Sequence, residues 1–209
     1  MLDRFKGFWQ GVMLAPFVRL FIRLGISPDV VTLVGTLGVA AGALVFFPQG
    51  MLLTGVLVIT AFVFSDLIDG QMARTLGRSS TFGSFWDSTL DRIGDGAVFG
   101  GLVLYFAGPG DSTLYAAVSL YCLVMGSVTS YARAKAESLS MDARGGLAER
   151  ADRLVLILVA TGLGALLGID WLMLVALWIL VFANTYTVVF RVLKVRRQAI
   201  EIDAARSAG

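Results

Sequence analysis

Long runs of apolar residues separated by short breaks dominate this 209-residue chain. Charged residues make up 15% of it, against about 25% in soluble globular domains. A helix needs roughly 20 residues to cross the core of a bilayer, and a backbone in lipid must satisfy its own hydrogen bonds. The pattern therefore predicts an all-α integral membrane protein with six transmembrane helices, built on the apolar runs 30–47, 51–65, 96–110, 112–132, 154–169 and 171–190.

The basic residues fall on one side of this predicted bundle. The breaks at 48–50, 108–111 and 168–170 contain none of the 17 lysines and arginines. Segments rich in lysine and arginine stay on the cytoplasmic side of a membrane. The distribution therefore predicts that both termini are cytoplasmic, in a multi-pass protein of the plasma membrane.

The sequence predicts that the chain is divided into three parts. Residues 1–26 place apolar side chains at helical spacing with basic residues among them, which is typical of an amphipathic helix lying at the membrane interface. Ser27 and Pro28 then predict a helix start, with serine as the cap and proline at the first helical position. Residues 27–197 hold the six spans, and residues 198–209 form a cytoplasmic tail.

The composition excludes several kinds of chemistry. The chain has no histidine and one cysteine, so histidine catalysis, histidine metal sites and internal disulfides are ruled out. A net charge of +2 gives no argument for a nucleic-acid partner. Any reaction must therefore use carboxylates, hydroxyls, basic groups, the backbone or a bound ion.

Aspartates are concentrated where few charges are expected, between residues 65 and 96. Charged groups in or beside membrane helices are costly and usually mark function. Asp66 and Asp69 are three residues apart at the end of the second span, and such a spacing puts both on one helix face. Asp87 and Asp91, four apart at the start of the third span, share a face as well. Four carboxylates in a partly desolvated site require a cation, and their hard oxygens favour Mg²⁺ or Mn²⁺.

Two other interpretations of these carboxylates stay open at this point. They can form ion pairs with Arg74, Arg78 and Arg92, although this does not explain why two pairs each share a face. They can also line an ion pathway, which makes a divalent-cation transporter the alternative from a different functional class. All of them lie near one membrane face, however, whereas transporter sites lie near the midplane. Asp95 is either a supporting residue of the site or a packing residue.

The aspartate segment resembles the signature of the CDP-alcohol phosphotransferase family, D-x2-D-G-x2-A-R-x8-G-x3-D-x3-D. All eight fixed positions match over 26 residues, and six helices with cytoplasmic termini also agree with that family. The matching residues are Asp66, Asp69, Gly70, Ala73, Arg74, Gly83, Asp87 and Asp91.

The resemblance implies a role for each part of the segment. Asp66, Asp69 and Asp87 are implied metal ligands, and Asp91 is the implied general base and a further metal ligand. The metal, Mg²⁺ or Mn²⁺, would neutralise a pyrophosphate and stabilise CMP as it leaves. The implied donor is CDP-diacylglycerol, and the residues expected to contact it are Asp29, Val30, Val31, Thr32, Gly70, Ala73, Arg74 and Ser80.

Basic residues at three predicted helix ends indicate that the acceptor carries a phosphate. Arg133 and Lys135 end the fourth span, while Arg153 opens the fifth and Arg191 ends the sixth. Side chains of this kind bind phosphate when they converge. The alternative is that they anchor the protein to lipid headgroups, and we favour that interpretation for Lys194, Arg196 and Arg197.

Within the family, residues 130–137 and 145–154 resemble the actinobacterial phosphatidylinositol phosphate synthases. This resemblance implies transfer of a phosphatidyl group from CDP-diacylglycerol to an inositol phosphate (1D-myo-inositol 3-phosphate), in contact with membrane lipids. The alternative acceptor is glycerol 3-phosphate, as in phosphatidylglycerophosphate synthases, and a phosphatidylserine synthase ranks third. A homodimer is also expected by resemblance.

Overall fold

The computed structural model describes residues 15, 16, 18–75 and 80–207, and within its helices the side chains of residues 64–67, 69, 73, 74 and 206 lie outside the description. The regular structure of this part of the chain is entirely helical, with no strand. Its long helices are α1 (Pro28–Ala41), α2 (Leu52–Thr75), α3 (Thr81–Ala107), α4 (Thr113–Ser138), α5 (Arg150–Leu167) and α6 (Trp171–Ser207). A π turn (Gly42–Phe46) and a 3₁₀ turn (Phe47–Gln49) extend α1.

Three helical stretches of the described chain are long and apolar enough to cross a membrane. They are Pro28–Gln49, Thr113–Ser138 and Trp171–Ala205, and α2 adds a shorter apolar stretch, Leu52–Val63. The helices α2, α3 and α5 contain charged residues as well, including those of the aspartate signature. A helical membrane protein is therefore confirmed, while the count of six spans stays a prediction.

The helix ends follow the local chemistry of the sequence. The Ser27 hydroxyl accepts a hydrogen bond from the backbone N–H of Val30 at 3.4 Å, and Pro28 is the first residue of α1, as predicted. Gly50 has a φ of +76° and Gly168 a φ of +68°. Both glycines adopt the left-handed conformation that ends a helix, which glycine reaches without steric cost.

A hydrophobic core joins all six helices. Phe47, Ile59, Leu102, Ile157 and Leu177, from the α1 extension, α2, α3, α5 and α6 respectively, are completely buried in it, together with Cys122 from α4. Within the described residues, α1 packs against both α2 and α3, whose direct contacts with each other are few. The helix α6 packs against α4 and α5, and α4 packs against α3.

The two ends of the chain are helical where they are described. Residues 18–23 form a helical segment, and Val18 packs against Val31 and Met72 beside the motif. Residues 1–14 and 17 of the predicted interfacial helix lie outside the described residues. At the other end α6 continues without a break to Ser207, so most of the predicted cytoplasmic tail extends this helix.

The connection between α4 and α5, residues 139–149, is bound along the second half of α6, and we call it the α4–α5 loop. Lys194 Nζ donates to Asp142 Oδ2 at 2.7 Å, and Gln198 both accepts from the N–H and donates to the carbonyl of Asp142. The hydrogen bond from Lys194, followed by one from the backbone N–H of Arg144, lowers the pKa of the Asp142 carboxyl. Lys194, which the sequence favours as a headgroup anchor, therefore holds this loop.

Thr187 fixes the second half of the same loop. Its hydroxyl oxygen accepts hydrogen bonds from the backbone N–H groups of Leu147 at 3.0 Å and Ala148 at 3.2 Å. Arg191 Nε donates to the carbonyl oxygen of Gly145 at 3.1 Å. The loop therefore enters α5 from a position that α6 determines.

We expect Thr187→Val to loosen the α4–α5 loop. Valine has no acceptor, so two backbone N–H groups lose their partner, at a cost of about 1–3 kcal/mol for each one that stays buried. Thermal unfolding in detergent should show a lower transition temperature, and hydrogen exchange at residues 147 and 148 should become faster. Thr187→Ser keeps the hydroxyl and should behave like the unmodified protein. Equal exchange rates in both variants would contradict this account of the loop.

One glycine of α3 permits a close approach to α1. A Cβ at Gly101 would lie 2.8 Å from the carbonyl oxygen of Ala43, whereas a Cβ at the adjacent Gly100 would meet no atom within 4 Å. The helices α1 and α3 can therefore approach this closely only with glycine at position 101.

We expect Gly101→Ala to reduce the free energy of unfolding by about 1–3 kcal/mol, the usual cost of overpacking. Gly100→Ala is the matched control, and it should be neutral or stabilising because alanine is the better helix former. Thermal unfolding of the two variants in the same detergent measures the difference. Equal transition temperatures would mean that the α1–α3 approach is not limited by this glycine.

Candidate active site

The signature is divided between α2 and α3. Residues 66–74 lie on α2, and Gly83, Asp87 and Asp91 lie on α3. The side chains of Asp66, Asp69, Ala73 and Arg74 lie outside the described part of the chain, while Gly70 is half-buried. The expected meeting of the two aspartate pairs therefore stays a prediction.

The starts of α1 and α3 lie against each other. Ser80 caps α3 by accepting a hydrogen bond from the N–H of Gly83 at 2.8 Å. A Cβ at Gly83 would lie 3.0 Å from Ser80 Oγ and 3.6 Å from Asp29 Oδ1. Trp86 Nε1 donates to the carbonyl oxygen of Asp29 at 3.2 Å. Asp29 and Ser80, two candidates that the sequence places 51 residues apart, therefore meet beside the signature glycine.

The other candidates at the start of α1 differ in their surroundings. Val30 is exposed, whereas Val31 and Thr32 are buried. Val31 packs against Val18 and Met72, and the Thr32 hydroxyl donates to the carbonyl oxygen of Pro28 at 3.1 Å. Of residues 29–32, the first two are thus the more accessible to a ligand.

Asp87 and Asp91 lie one turn apart on α3, as the spacing predicts. Asp87 is exposed and Asp91 is partly buried. Arg150 Nη1 on α5 lies 2.8 Å from Asp91 Oδ1, whereas Arg92 Nη2 lies 3.7 Å from Asp91 Oδ2. Arg150 is therefore the closer partner of Asp91 in space, although Arg92 is its neighbour in the sequence.

Asp95, one further turn along α3, is buried and accepts from two arginines of α5. Arg153 Nη2 lies 2.9 Å from its Oδ2, and Arg150 Nε lies 3.2 Å from its Oδ1. Sequence reasoning left Asp95 without an assigned role and did not include Arg150 in the site. The signal for both was present, since Asp87, Asp91 and Asp95 recur every four residues and the two arginines are three apart.

The four predicted phosphate-binding residues lie on or beside the second half of α4, and they differ in burial. Arg153 and Arg191 are almost completely buried. Arg191 donates to the carbonyl oxygen of Thr129 at 2.7 Å, one turn before Arg133, and Arg133 pairs with Glu137 at 3.0 Å. Lys135 is exposed.

Arg153 packs against α4 at a glycine. A Cβ at Gly126 would lie 3.2 Å from Arg153 Nε, and Arg153 Nη1 donates to the carbonyl oxygen of Ala148 at 3.1 Å. The structure thus brings Arg133, Arg153 and Arg191 to one region of α4. The two buried arginines, Arg153 and Arg191, also donate hydrogen bonds to backbone carbonyl oxygens.

The donor chemistry of the described residues fits a hard divalent cation. Asp87 and Asp91 offer carboxylate oxygens from consecutive turns of one helix, and Mg²⁺ and Mn²⁺ prefer such ligands. Among the described residues no group of three acidic, histidine or cysteine side chains is close enough to hold a metal. The predicted metal site also includes Asp66 and Asp69, so it stays a prediction.

Curated relatives match almost the whole chain. The phosphatidylinositol phosphate synthase of Streptomyces avermitilis is 50% identical over an alignment of 214 residues, which covers 100% of this chain and 88% of the relative. The protein of the same name from Cutibacterium acnes is 48% identical over 204 residues, covering 94% of this chain and 98% of the relative.

Solved structures agree with these relatives. The crystal structure of Mycobacterium tuberculosis phosphatidylinositol phosphate synthase with CDP-DAG bound matches with a TM-score of 0.83 and 38% identity, covering 87% of this chain and 92% of that one. The same enzyme in complex with manganese and citrate matches with a TM-score of 0.82 and 38% identity, covering 87% and 88%.

A sequence model of the CDP-alcohol phosphatidyltransferase family matches residues 25–184, a range that includes the whole signature. With this match and the extensive identity to the relatives, the resemblance carried by the aspartate segment is confirmed. The chain belongs to the CDP-alcohol phosphatidyltransferase family.

Proposed function

We propose that this protein transfers a phosphatidyl group from CDP-diacylglycerol to a hydroxyl of an inositol phosphate, 1D-myo-inositol 3-phosphate, releasing CMP and phosphatidylinositol phosphate. The observation that carries the proposal is the identity of 48–50% with relatives named phosphatidylinositol phosphate synthase, over nearly their full length. The intact signature supports the same class of reaction.

The metal site of this proposal consists of Asp66, Asp69, Asp87 and Asp91. The manganese in the Mycobacterium tuberculosis structure supports a divalent ion, and Mg²⁺ or Mn²⁺ suits an all-carboxylate donor set. When bound, the ion supplies charge neutralisation to the pyrophosphate of the donor.

Asp91 acts as the general base. It takes the proton from the acceptor hydroxyl, whose oxygen forms a bond to the lipid-side phosphorus while the bond from that phosphorus to CMP breaks. Its position supports this role, because Asp91 is partly exposed and its Oδ1 is held at 2.8 Å by Arg150. A positioned base of this kind contributes typically 10²–10⁴-fold to a rate, by order of magnitude.

The donor lies across the starts of α1 and α3. Gly83 allows Asp29 and Ser80 to meet there, and the small Gly70 and Ala73 leave room for the cytidine against α2. Arg74 binds the pyrophosphate. The remaining contacts of the proposed donor site are Val30, Val31 and Thr32.

The acceptor phosphate is bound by Arg133, Lys135, Arg153 and Arg191. A guanidinium has five N–H donors, and Arg191 uses two of its N–H groups on the carbonyl oxygens of Thr129 and Gly145. Buried arginines that are already oriented bind phosphate with little loss of side-chain freedom. This preorganisation supports a phosphorylated acceptor over free inositol or serine.

The membrane arrangement belongs to the proposal as well. Six helices span the plasma membrane, both termini are cytoplasmic, and the active site opens to the cytoplasm, where the charged ends of α2, α3 and α5 lie. Residues 27–197 form the catalytic domain, with residues 1–26 at the interface and residues 198–209 beyond the last span. The protein works as a homodimer among membrane lipids.

A phosphatidylglycerophosphate synthase is the second candidate, because glycerol 3-phosphate also offers a phosphate to the basic residues. Purified protein with Mg²⁺ and CDP-diacylglycerol should release CMP only when an acceptor is present. Inositol phosphate should support the fastest release among inositol phosphate, free inositol, glycerol 3-phosphate and serine. Fastest release with glycerol 3-phosphate would replace the proposed function by the second candidate.

We expect Asp91→Asn to lower kcat by at least about 100-fold, since asparagine cannot take the proton. Binding of CDP-diacylglycerol, measured by calorimetry in detergent, should persist because Asp66, Asp69 and Asp87 remain. A variant that retained activity would exclude Asp91 as the base.

A further inference from the structure

Arg150 lies between two carboxylates on successive turns of α3. Its Nη1 is 2.8 Å from Asp91 Oδ1, and its Nε is 3.2 Å from Asp95 Oδ1. Carboxylates four residues apart on a helix repel each other. A guanidinium presents its donors in a rigid planar fork, so one arginine can bridge both groups in a fixed geometry, which a lysine cannot do.

Asp95 is anchored more firmly than Asp91. Its side chain is 9% exposed, against 19% for Asp91, and it also accepts from Arg153 Nη2 at 2.9 Å. Arg153 in turn donates to the carbonyl oxygen of Ala148 and packs against Gly126. The bridge therefore has one end fixed in the protein interior and the other end at the proposed base.

The start of α5 is defined independently of the bridge. Glu149 and Asp152 form a capping box that orders the first turn of this helix. A Cβ at Gly94 would lie 4.0 Å from Arg150 Nη2, so the guanidinium lies beside α3 at this glycine. The ordered helix start therefore places Arg150 next to the turn of α3 that precedes Asp95.

We propose that Arg150 and Asp95 are positioning residues, in which Asp95 holds Arg150 and Arg150 sets the orientation of the Asp91 carboxylate. This inference rests on the proposed function, since it assigns Asp91 the roles of base and metal ligand. Arg92, at 3.7 Å from Asp91 and 3.9 Å from Asp95, is too distant to fix either group by a hydrogen bond. A base displaced by about 1 Å loses much of its rate advantage.

The first test compares substitutions of Arg150, whose side chain is 30% exposed. Arg150→Gln should lower kcat by about 10- to 100-fold, the range found when a partner of a metal ligand is lost. The KM for CDP-diacylglycerol should change by less than about threefold, because Arg150 acts through Asp91 and not on the donor. Arg150→Lys should regain little of the loss, since it cannot bridge.

The second test uses substitution of Asp95. Asp95→Asn should reduce kcat in the same direction, and it also removes the partner of the buried Arg153, so the Arg150→Gln/Asp95→Asn double variant should be slower than Arg150→Gln alone. The combined loss should nevertheless be smaller than the product of the two single losses, because the two residues act through one bridge. The matched control is Arg144→Gln, an exposed arginine of the α4–α5 loop, which should keep the original kcat and KM.

A third readout does not depend on turnover. Mn²⁺ binding to the substrate-free protein, followed by electron paramagnetic resonance, should weaken by about 10- to 100-fold in Arg150→Gln, because the Asp91 carboxylate loses the partner that orients it. It should stay unchanged in Arg144→Gln. A general loss of structure would also lower the temperature of thermal unfolding in detergent, which should stay close to that of the unmodified protein.

The inference is overturned by a kcat within twofold of the original in Arg150→Gln, by multiplicative effects in the double variant, or by Mn²⁺ binding that does not weaken. The proposed function fails separately, when the unmodified protein releases no CMP with any phosphorylated acceptor. The Mn²⁺ measurement would then still decide whether Arg150 acts on Asp91.

Discussion

The guanidinium of Arg153 is almost removed from solvent, and the buried carboxylate of Asp95 at 2.9 Å balances its charge. Breaking a buried pair by removing one partner costs about 3–5 kcal/mol, because the remaining charge cannot be left in the interior. The two residues are 58 positions apart and lie on α5 and α3. Their pairing ties α5 to α3 one turn after Asp91, on the helix face that also carries Asp87 and Asp91.

The end of the bundle that carries the aspartate signature is organised around this pair by polar contacts. The helix α4 approaches Arg153 at Gly126, and α6 holds the α4–α5 loop through Thr187 and Lys194. The other end is held by apolar packing around Phe47 and Leu177. The charged groups are thus concentrated towards one end of the bundle, and the apolar packing is concentrated towards the other.

Much of this arrangement could be predicted from the sequence, because its signals are local. The apolar runs, the Ser27 cap and the glycines at 50 and 168 define where helices start and stop. The aspartate spacing identifies the family through eight fixed positions, and the match to residues 25–184 confirms that identification.

The partners of the charged residues could not be predicted in this way. A helical pattern shows that Asp91 and Asp95 share a face, but the rotation of α3 against α5 decides which arginine they meet. The sequence offered Arg92, the neighbour in the chain, whereas Arg150 makes the shorter contact. Lys194 was similarly expected at lipid headgroups and pairs with Asp142, a contact 52 residues away in the chain.

The helix α6 runs for 37 residues without interruption, a length of about 55 Å. The hydrocarbon core of a bilayer is about 30 Å thick, so one rigid rod links the lipid phase to the residues that hold the α4–α5 loop. A helix in a thinner or thicker bilayer adjusts by tilting. A tilt of this rod would move Thr187, Arg191 and Lys194 together, and with them the α4–α5 loop that they bind.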